Sequence, residues 1–594
     1  MLRDDLTAER HPADGGGRAW IEEGPLEVRA GSRQRWTLVY EAGPLGIAEG
    51  GMLFFQAPPF WGWSTPQTVS RGSDGYTTIS VSSPDVHLEP ENFGQQLLGI
   101  RVGGRALLAG ERVTLDYGAG PARARVDRYA ESESRFWFAV DGDGDGIRRL
   151  IADPPQIAIA AGPPERLHLA LTSGAAPGGT VRLTLAVLDA AGNAGVDFTG
   201  EIRLDGPAGL ELPPSIRLDA GDRGRQEVRL RLTGEGVFRV TADGGGRLTA
   251  TSNPLRVARN QQTVLWADLH GHSGLTDGTG TPADYLTYAR EIAALDVVAL
   301  TDHDHWGLRP LSRHDELWEE IRRETERFHQ PGVFVTLLGY EWTSWIHGHR
   351  HVLYFDDRGE VLSAVDPAYE SPDALWAALR GRPALTFAHH SAGQPVATNW
   401  DYPPDPELEP VTEITSVHGS SEAADSPRPV AGAIDGNFVR DALDRGYRLG
   451  FIGSGDSHDG HPGLAHLASP NGGLAALVGA EPTREAVLET LRARRVYATN
   501  GPRILLEVGF DGASVGSTLP ATASGELRVW AAGTAAIERV DVVRSGRVVE
   551  SVPGGGLETE VVREIGGLRH GEYLYVRVVQ IDGGAAWSSP FFFE

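Results

Sequence analysis

The stretch from Trp266 to His305 constrains this chain more than any other. It reads W-A-D-L-H-G-H-S-G-L-T-D-G, passes through a helical segment, and closes on D-V-V-A-L-T-D-H-D-H. One short apolar run ends in His270 and His272, with Asp277 five residues further on. A second, Val297 to Leu300, ends in Asp302, His303, Asp304 and His305. Both clusters stand where a buried strand would stop and a loop begin. Imidazoles and carboxylates packed this densely at strand ends predict metal ligands.

Composition narrows the class. A chain of 594 residues is long enough for several domains at about 100–200 residues each, and 14 Trp with 40% hydrophobic residues supply ample core. The net charge is −26, from 54 basic and 80 acidic residues, and no lysine is present. An acidic surface repels polyphosphate, so a nucleic-acid partner is not expected. The absence of cysteine removes disulfides, zinc–thiolate sites and cysteine nucleophiles together. Residues 1–17 are polar without an apolar run, and no stretch of about 18 apolar residues occurs anywhere. The expected location is therefore cytoplasmic, with no membrane span.

Taken in order, residues 1–18 read as a flexible tail. Residues 19–161 and 165–257 are rich in Gly and Pro, with alternating runs such as Q-R-W-T-L-V-Y and T-V-R-L-T-L-A-V-L. Period-two alternation broken by turn residues predicts two β-sandwich domains, the second immunoglobulin-like. Asp141-Gly-Asp-Gly-Asp-Gly146 has the first half of a calcium loop, but Ala152 stands at the twelfth position where that loop needs Glu, so a Gly-rich turn is expected.

From 262 to 502 apolar runs alternate with amphipathic helices. Strands are expected at 264–267, 297–300, 333–338, 351–355, 384–388, 411–417, 450–453 and 475–478. Helices are expected at 282–292, 316–328, 372–380, 439–445 and 483–494. Such alternation predicts parallel βα units, and about 240 residues fit a TIM-like barrel with its chemistry at the C-terminal strand ends. Residues 503–594 return to alternation and predict a C-terminal β-sandwich. The expected class is thus multidomain, α/β plus all-β, with sandwiches on both sides of the barrel.

Polar residues follow nearly every predicted barrel strand. They are His270, His272 and Asp277, then Asp302 and His303, then Glu341 in L-L-G-Y-E-W-T-S. Next come His351, preceded by His347 and His349, then His389 and His390, His418, and finally Asp456 and His458 in G-D-S-H. One cation takes about four to six N or O ligands, so this set can serve two or three ions sharing a carboxylate. Such ions lower the pKa of bound water toward about 7 and neutralise a phosphoryl group. Imidazole with carboxylate suits Zn, Mn or Fe alike.

These motifs, in this order, resemble the polymerase and histidinol phosphatase (PHP) superfamily. They are H-x-H with Asp five residues later, T-D-H-D, a Glu after the third strand, a His ten residues on, A-H, and G-D-S-H. The resemblance covers residues 262–502, and the flanking β-domains resemble a large multidomain branch, the domain of unknown function 3604 family. It implies a distorted (β/α)7 barrel with up to three ions. One ion would take His270, His272, Glu341 and Asp456. A second would share Glu341 and add His351 and His389. A third would take Asp277, His303 and His458. The family's A-H-P is A-H-H here, so His390 replaces a proline.

The remaining candidates follow. His390, His305 and Asp302 are candidate catalytic residues, the two histidines as leaving-group acids. Asp302 more often orients a ligand than binds metal itself. Arg350, His349 and His418 are candidate substrate contacts, Arg350 as a phosphate clamp. The expected function is a metal-dependent phosphoesterase acting on a small molecule. Hydrolysis of an amide, lactone or sulfate ester is the alternative, and a non-catalytic carbohydrate- or surface-binding protein is a second. An Arg-poor aromatic pocket rim would favour a neutral substrate. The oligomeric state is not set by the sequence.

Overall fold

In the computed structural model, residues 8–59, 61–521 and 524–594 are described. They fall into two compact units, the first running from residue 8 to 162 with 279–281 and the second comprising the described residues of 163–278 and 282–594.

The first unit is all β. Arg112–Tyr117 shows the cause: Val113, Leu115 and Tyr117 point inward while Arg112, Thr114 and Asp116 face outward. Its partner Trp36–Glu41 buries Trp36, Leu38 and Tyr40 in the same alternation. The core is aromatic, with Trp36 packed against Phe136 at 5.2 Å and Trp63 at 5.6 Å between ring centres. Part of the expected tail, residues 1–7, lies outside the described residues. Of the rest, Ala13 and Asp14 are buried, and Asp14 accepts a hydrogen bond from the Gly142 amide at 2.7 Å. In the Asp141–Gly146 loop, Asp141 accepts the amides of Gly144 and Gly146 at 2.7 and 3.0 Å, so it closes its own turn.

The second unit opens with three sheets between Arg166 and Val257, antiparallel except where Gly174–Ala175 pairs parallel to Leu255–Val257. Nine main strands then build the region of interest, besides the two-residue Gly419–Ser420: β1 (Val264–Asp268), β2 (Val297–Leu300), β3 (Val335–Trp342), β4 (Arg350–Tyr354), β5 (Ala384–Ala388), β6 (Val411–Ser416), β7 (Gly450–Gly453), β8 (Leu474–Val478) and β9 (Val496–Thr499). Five helices intervene: α1 (Pro282–Glu291), α2 (Asp315–Phe328), α3 (Pro372–Leu379), α4 (Val439–Asp444) and α5 (Arg484–Arg492). Helix α2 turns Leu317, Trp318, Ile321 and Phe328 inward as one stripe. Helix α3 starts where the Ser371 hydroxyl accepts the Ala374 amide ahead of Pro372.

Pairing departs from a repeated parallel unit. Strands β1, β2 and β3 are parallel neighbours, as are β6 and β7. Strand β4 runs antiparallel to both β3 and β5, and β8 antiparallel to β1. The first reversal has a simple cause. Only residues 343–349 join β3 to β4, whereas a parallel return needs a crossover of about a dozen residues or more. Beyond β9 the sheet continues into Ala585–Ser588, Tyr573–Gln580 and the long Ser524–Arg544 strand, so one hydrogen-bonded sheet joins this region to the C-terminal β structure.

Candidate metal centre

The strand ends place the candidates opposite one another. The loop after β1 and the loop after β7 pair like strands: the His272 amide donates to Ser457 O and the Asp456 amide to His270 O, each at 2.9 Å. His270 and His272 therefore face Asp456 and His458. Gly271 lies between them, and a Cβ there would stand 2.2 Å from the Tyr285 hydroxyl oxygen. The end of β2 is joined to β3 in the same way, with His303 bridged to Glu341. Glu341 stands directly across from His351 in the β3–β4 register. Asp456 and His390 adopt left-handed backbone, φ +52° and +31°. Conformations of this kind in non-glycine residues concentrate at functional sites.

Three groups result, each with donor atoms within 4.8 Å of one another: His270, Glu341, His351 and His389, all buried; His272, Asp277, His303 and His458, with Asp277 and His458 half-buried; and His270, His272 and Asp456, all buried. Glu341 Oε2 stands 3.4 Å from both His270 Nε2 and His272 Nε2. Asp456 Oδ1 stands 3.0 Å from His270 Nε2 and 3.6 Å from His272 Nε2. Asp277 Oδ1 is 3.5 Å from His303 Nε2 and 3.6 Å from His458 Nε2.

Charge follows this geometry. Burial would push Glu341 and Asp456 up, but the imidazoles around them outweigh it and hold both carboxyls well below the usual range. Burial pushes His351 and His389 well below the ordinary imidazole value, so both are neutral donors. His351 is the clearest sign of a missing partner. Neither of its ring nitrogens has a hydrogen-bond partner among the described residues, although the residue is fully buried. A neutral imidazole always carries one N–H, and leaving it unmet costs about 1–3 kcal/mol. A neutral ring among carboxylates and other imidazoles fits a divalent cation of the Zn, Mn or Fe type.

Three residues without a sequence motif support these groups. Glu413 Oε2 lies 2.9 Å from His270 Nδ1, which leaves Nε2 facing Asp456. Asp268 accepts the Gly455 and Gly463 amides at 2.8 and 2.7 Å and so shapes the loop bearing Asp456. Thr343 Oγ1 lies 2.7 Å from His303 Nδ1. Glu413 sits inside β6 and Asp268 at the end of β1, so each reads locally as one more strand residue.

The other candidates divide. His349, His390 and His418 line the cavity above these groups. His349 Nδ1 approaches Glu341 Oε1 to 2.6 Å, which sets it beside the metal-ligand candidates. His418 Nε2 lies 3.0 Å from Asp456 Oδ2 with about half of its side chain exposed. Arg350 does not reach the cavity. It is buried, its guanidinium pairs with Glu409 at 3.0 Å and covers the Trp376 ring, and its Nη1 donates to His347 O. Nor does His305 line the cavity, its Nδ1 being held 2.7 Å from Asp304. Asp302 is occupied by the amide and hydroxyl of Ser273 and by the Thr276 hydroxyl, which fixes the loop leading to Asp277. Burial with neighbouring histidines pushes His390 down to about 3, so near neutral pH it carries no second proton to donate.

Comparison with known proteins bears on this region. Residues 288–429 and 463–533 match the family described as Protein of unknown function (DUF3604). An uncharacterized protein of Chlamydia pneumoniae is 27% identical over 369 residues, 56% of this chain and 58% of the relative. Another from Chlamydia trachomatis is 26% identical over 376 residues, 58% of this chain and 60% of the relative. The chain thus spans less than two thirds of these relatives' lengths. A solved two-domain protein from Bacteroides vulgatus, described as containing a predicted PHP-like metal-dependent phosphoesterase, is 15% identical. It covers 55% of this chain and 95% of its own, with a TM-score of 0.31, an overlap too low to establish a shared fold.

Proposed function

We propose that this chain is a metal-dependent hydrolase of the PHP type, acting on phosphate esters of a small molecule. The proposal includes a distorted (β/α)7 arrangement of β1–β9 with its helices, and the division of the flanking β structure into sandwiches at 19–161, 165–257 and 503–594. The observation that carries it is the convergence of His272, Asp277, His303, Glu341, His389, Asp456 and His458 on one cavity, with His270 and His351 grouped against Glu341 and His389.

Two or three divalent ions would be held by the groups described, with Glu341 shared. When bound they supply Lewis acidity toward the phosphoryl oxygens and acidify water at neutral pH. The protein's own part is orientation and proton control. Glu413 and Thr343 set the ring orientations of His270 and His303. His418, raised by the Asp456 carboxylate and half exposed at the cavity wall, is placed to return a proton to the leaving group. His390 takes no acid role and serves as a neutral contact.

A second reading is favoured by one observation: among the described residues no arginine lines the cavity. A phosphate monoester brings two charges and is usually met by Arg clamps. Hydrolysis of a neutral carboxylic ester or amide fits that wall, and among phosphate esters a diester fits it better than a monoester does. The test is a p-nitrophenyl panel of phosphate monoester, diester, acetate and sulfate with metal-loaded protein and its Asp456→Asn variant. Diester turnover that is lost in the variant supports the proposal. Turnover of acetate alone replaces it with the second reading.

A further inference from the structure

The cavity, of about 280 Å³, has two unlike sets of lining residues: the imidazole and carboxylate array, and the apolar Trp306, Trp345, Pro395, Val396, Val430 and Ala431. Trp306 and Trp345 stand 5.4 Å apart between ring centres, tilted by 39°. Trp306 lies 6.4 Å from the His303 ring and Trp345 6.5 Å from the His349 ring, so the pair adjoins the candidate metal ligands. Trp345 is 48% exposed and its neighbour Ile346 79% exposed. Large apolar side chains left open beside a polar site mark where a ligand sits.

Charge points the same way. The chain has no lysine, and among the described residues no arginine lines the cavity. Arg350 is spent on Glu409, and Arg428 donates to the carbonyls of Pro470 and Asp582. Any anionic group on the substrate away from the reacting centre would thus meet no guanidinium or ammonium there. A flat apolar group would instead find two indole faces and an aliphatic wall, the pairing that aromatic rings favour.

We propose that the non-reacting part of the substrate is an uncharged, flat apolar group, aryl or similar, seated against Trp306 and Trp345, and that these two residues determine specificity. This rests on the hydrolase reading for its kinetic test but not for its binding test. The loop 343–349 fixes the position. It carries Thr343 on His303 at one end and His349 on Glu341 at the other, with Trp345 between.

The experiment compares phenyl p-nitrophenyl phosphate with methyl p-nitrophenyl phosphate, which share a leaving group, and measures binding of phenylphosphonate against methylphosphonate by calorimetry on the metal-loaded protein. The wild type is expected to favour phenyl by about tenfold in both kcat/KM and Kd. The ratio should fall toward one in Trp345→Ala and be kept in Trp345→Phe, which preserves an aromatic face. A phenyl-to-methyl ratio near one in the wild type, or one unchanged by Trp345→Ala, overturns the inference. If neither ester is turned over, the phosphodiester reading fails, and the phosphonate binding ratio still decides the specificity claim. Absence of binding by either phosphonate counts against it.

Discussion

At the scale of single residues, the decisive contacts are those that tell a histidine where its proton lies. Glu413 takes the Nδ1 side of His270, so that Nε2 is the face presented to Asp456 and Glu341. Burial pushes Glu413 up to about 7, opposed by His270. Replacing it by Gln keeps the shape and removes the charge that fixes the ring. Glu413→Gln should weaken metal binding about 10- to 100-fold while the fold persists, measured by competition against a chelator with circular dichroism as the check on folding. Unchanged affinity would reduce Glu413 to a packing residue. The sequence displayed the histidines and carboxylates that meet here because each stands where an apolar run stops. It hid Glu413, Asp268 and Thr343, whose partners lie more than a hundred residues away or across a strand pair. Arg350 misled for the converse reason. It adjoins His351 in sequence, but successive residues of a strand point to opposite faces, and its side chain enters the core beside Glu409 and Trp376.

At the scale of elements, periodicity located the pieces and could not decide how they pair. The apolar runs match β1 to β8 to within a few residues, and the helices match as closely. What the pattern does not encode is direction. A buried strand has the same composition in a parallel or an antiparallel pair, so the antiparallel β4 and β8 had no local signature. One packing of elements carries a pH dependence. His168, on the strand Arg166–Leu171, and His466, in the short turn Ala465–Leu467, both feel Arg503. Burial first, and then that cation, pushes His168 down to about 3 and His466 down to about 4. In the unfolded chain both titrate near 6.5. Between these values the unfolded state binds more protons, so the stability is complete above about pH 6.5 and is lost as pH falls toward 4. Urea unfolding from pH 7 to pH 4 should show a steeper loss in wild type than in a His168→Gln, His466→Gln double variant. Parallel curves would contradict this.

At the scale of the whole molecule, a chain with predominantly β structure confines its densest set of titratable groups to one cavity in the second unit. Burying so many such groups is costly unless they are paired or hold metal. The β-sandwich character of the flanking parts was legible from alternation and turn residues. The cavity's apolar wall was not, because Trp306, Trp345 and Val430 come from three separate loops with no shared motif. The most direct test of the account is a metal count. The purified protein is loaded with Zn²⁺ or Mn²⁺, dialysed and analysed for bound metal beside Glu341→Gln, which removes the charge of the shared carboxylate. The account predicts about two or three equivalents in the wild type and at least one fewer in the variant. Less than one equivalent in well-folded wild-type protein would contradict it.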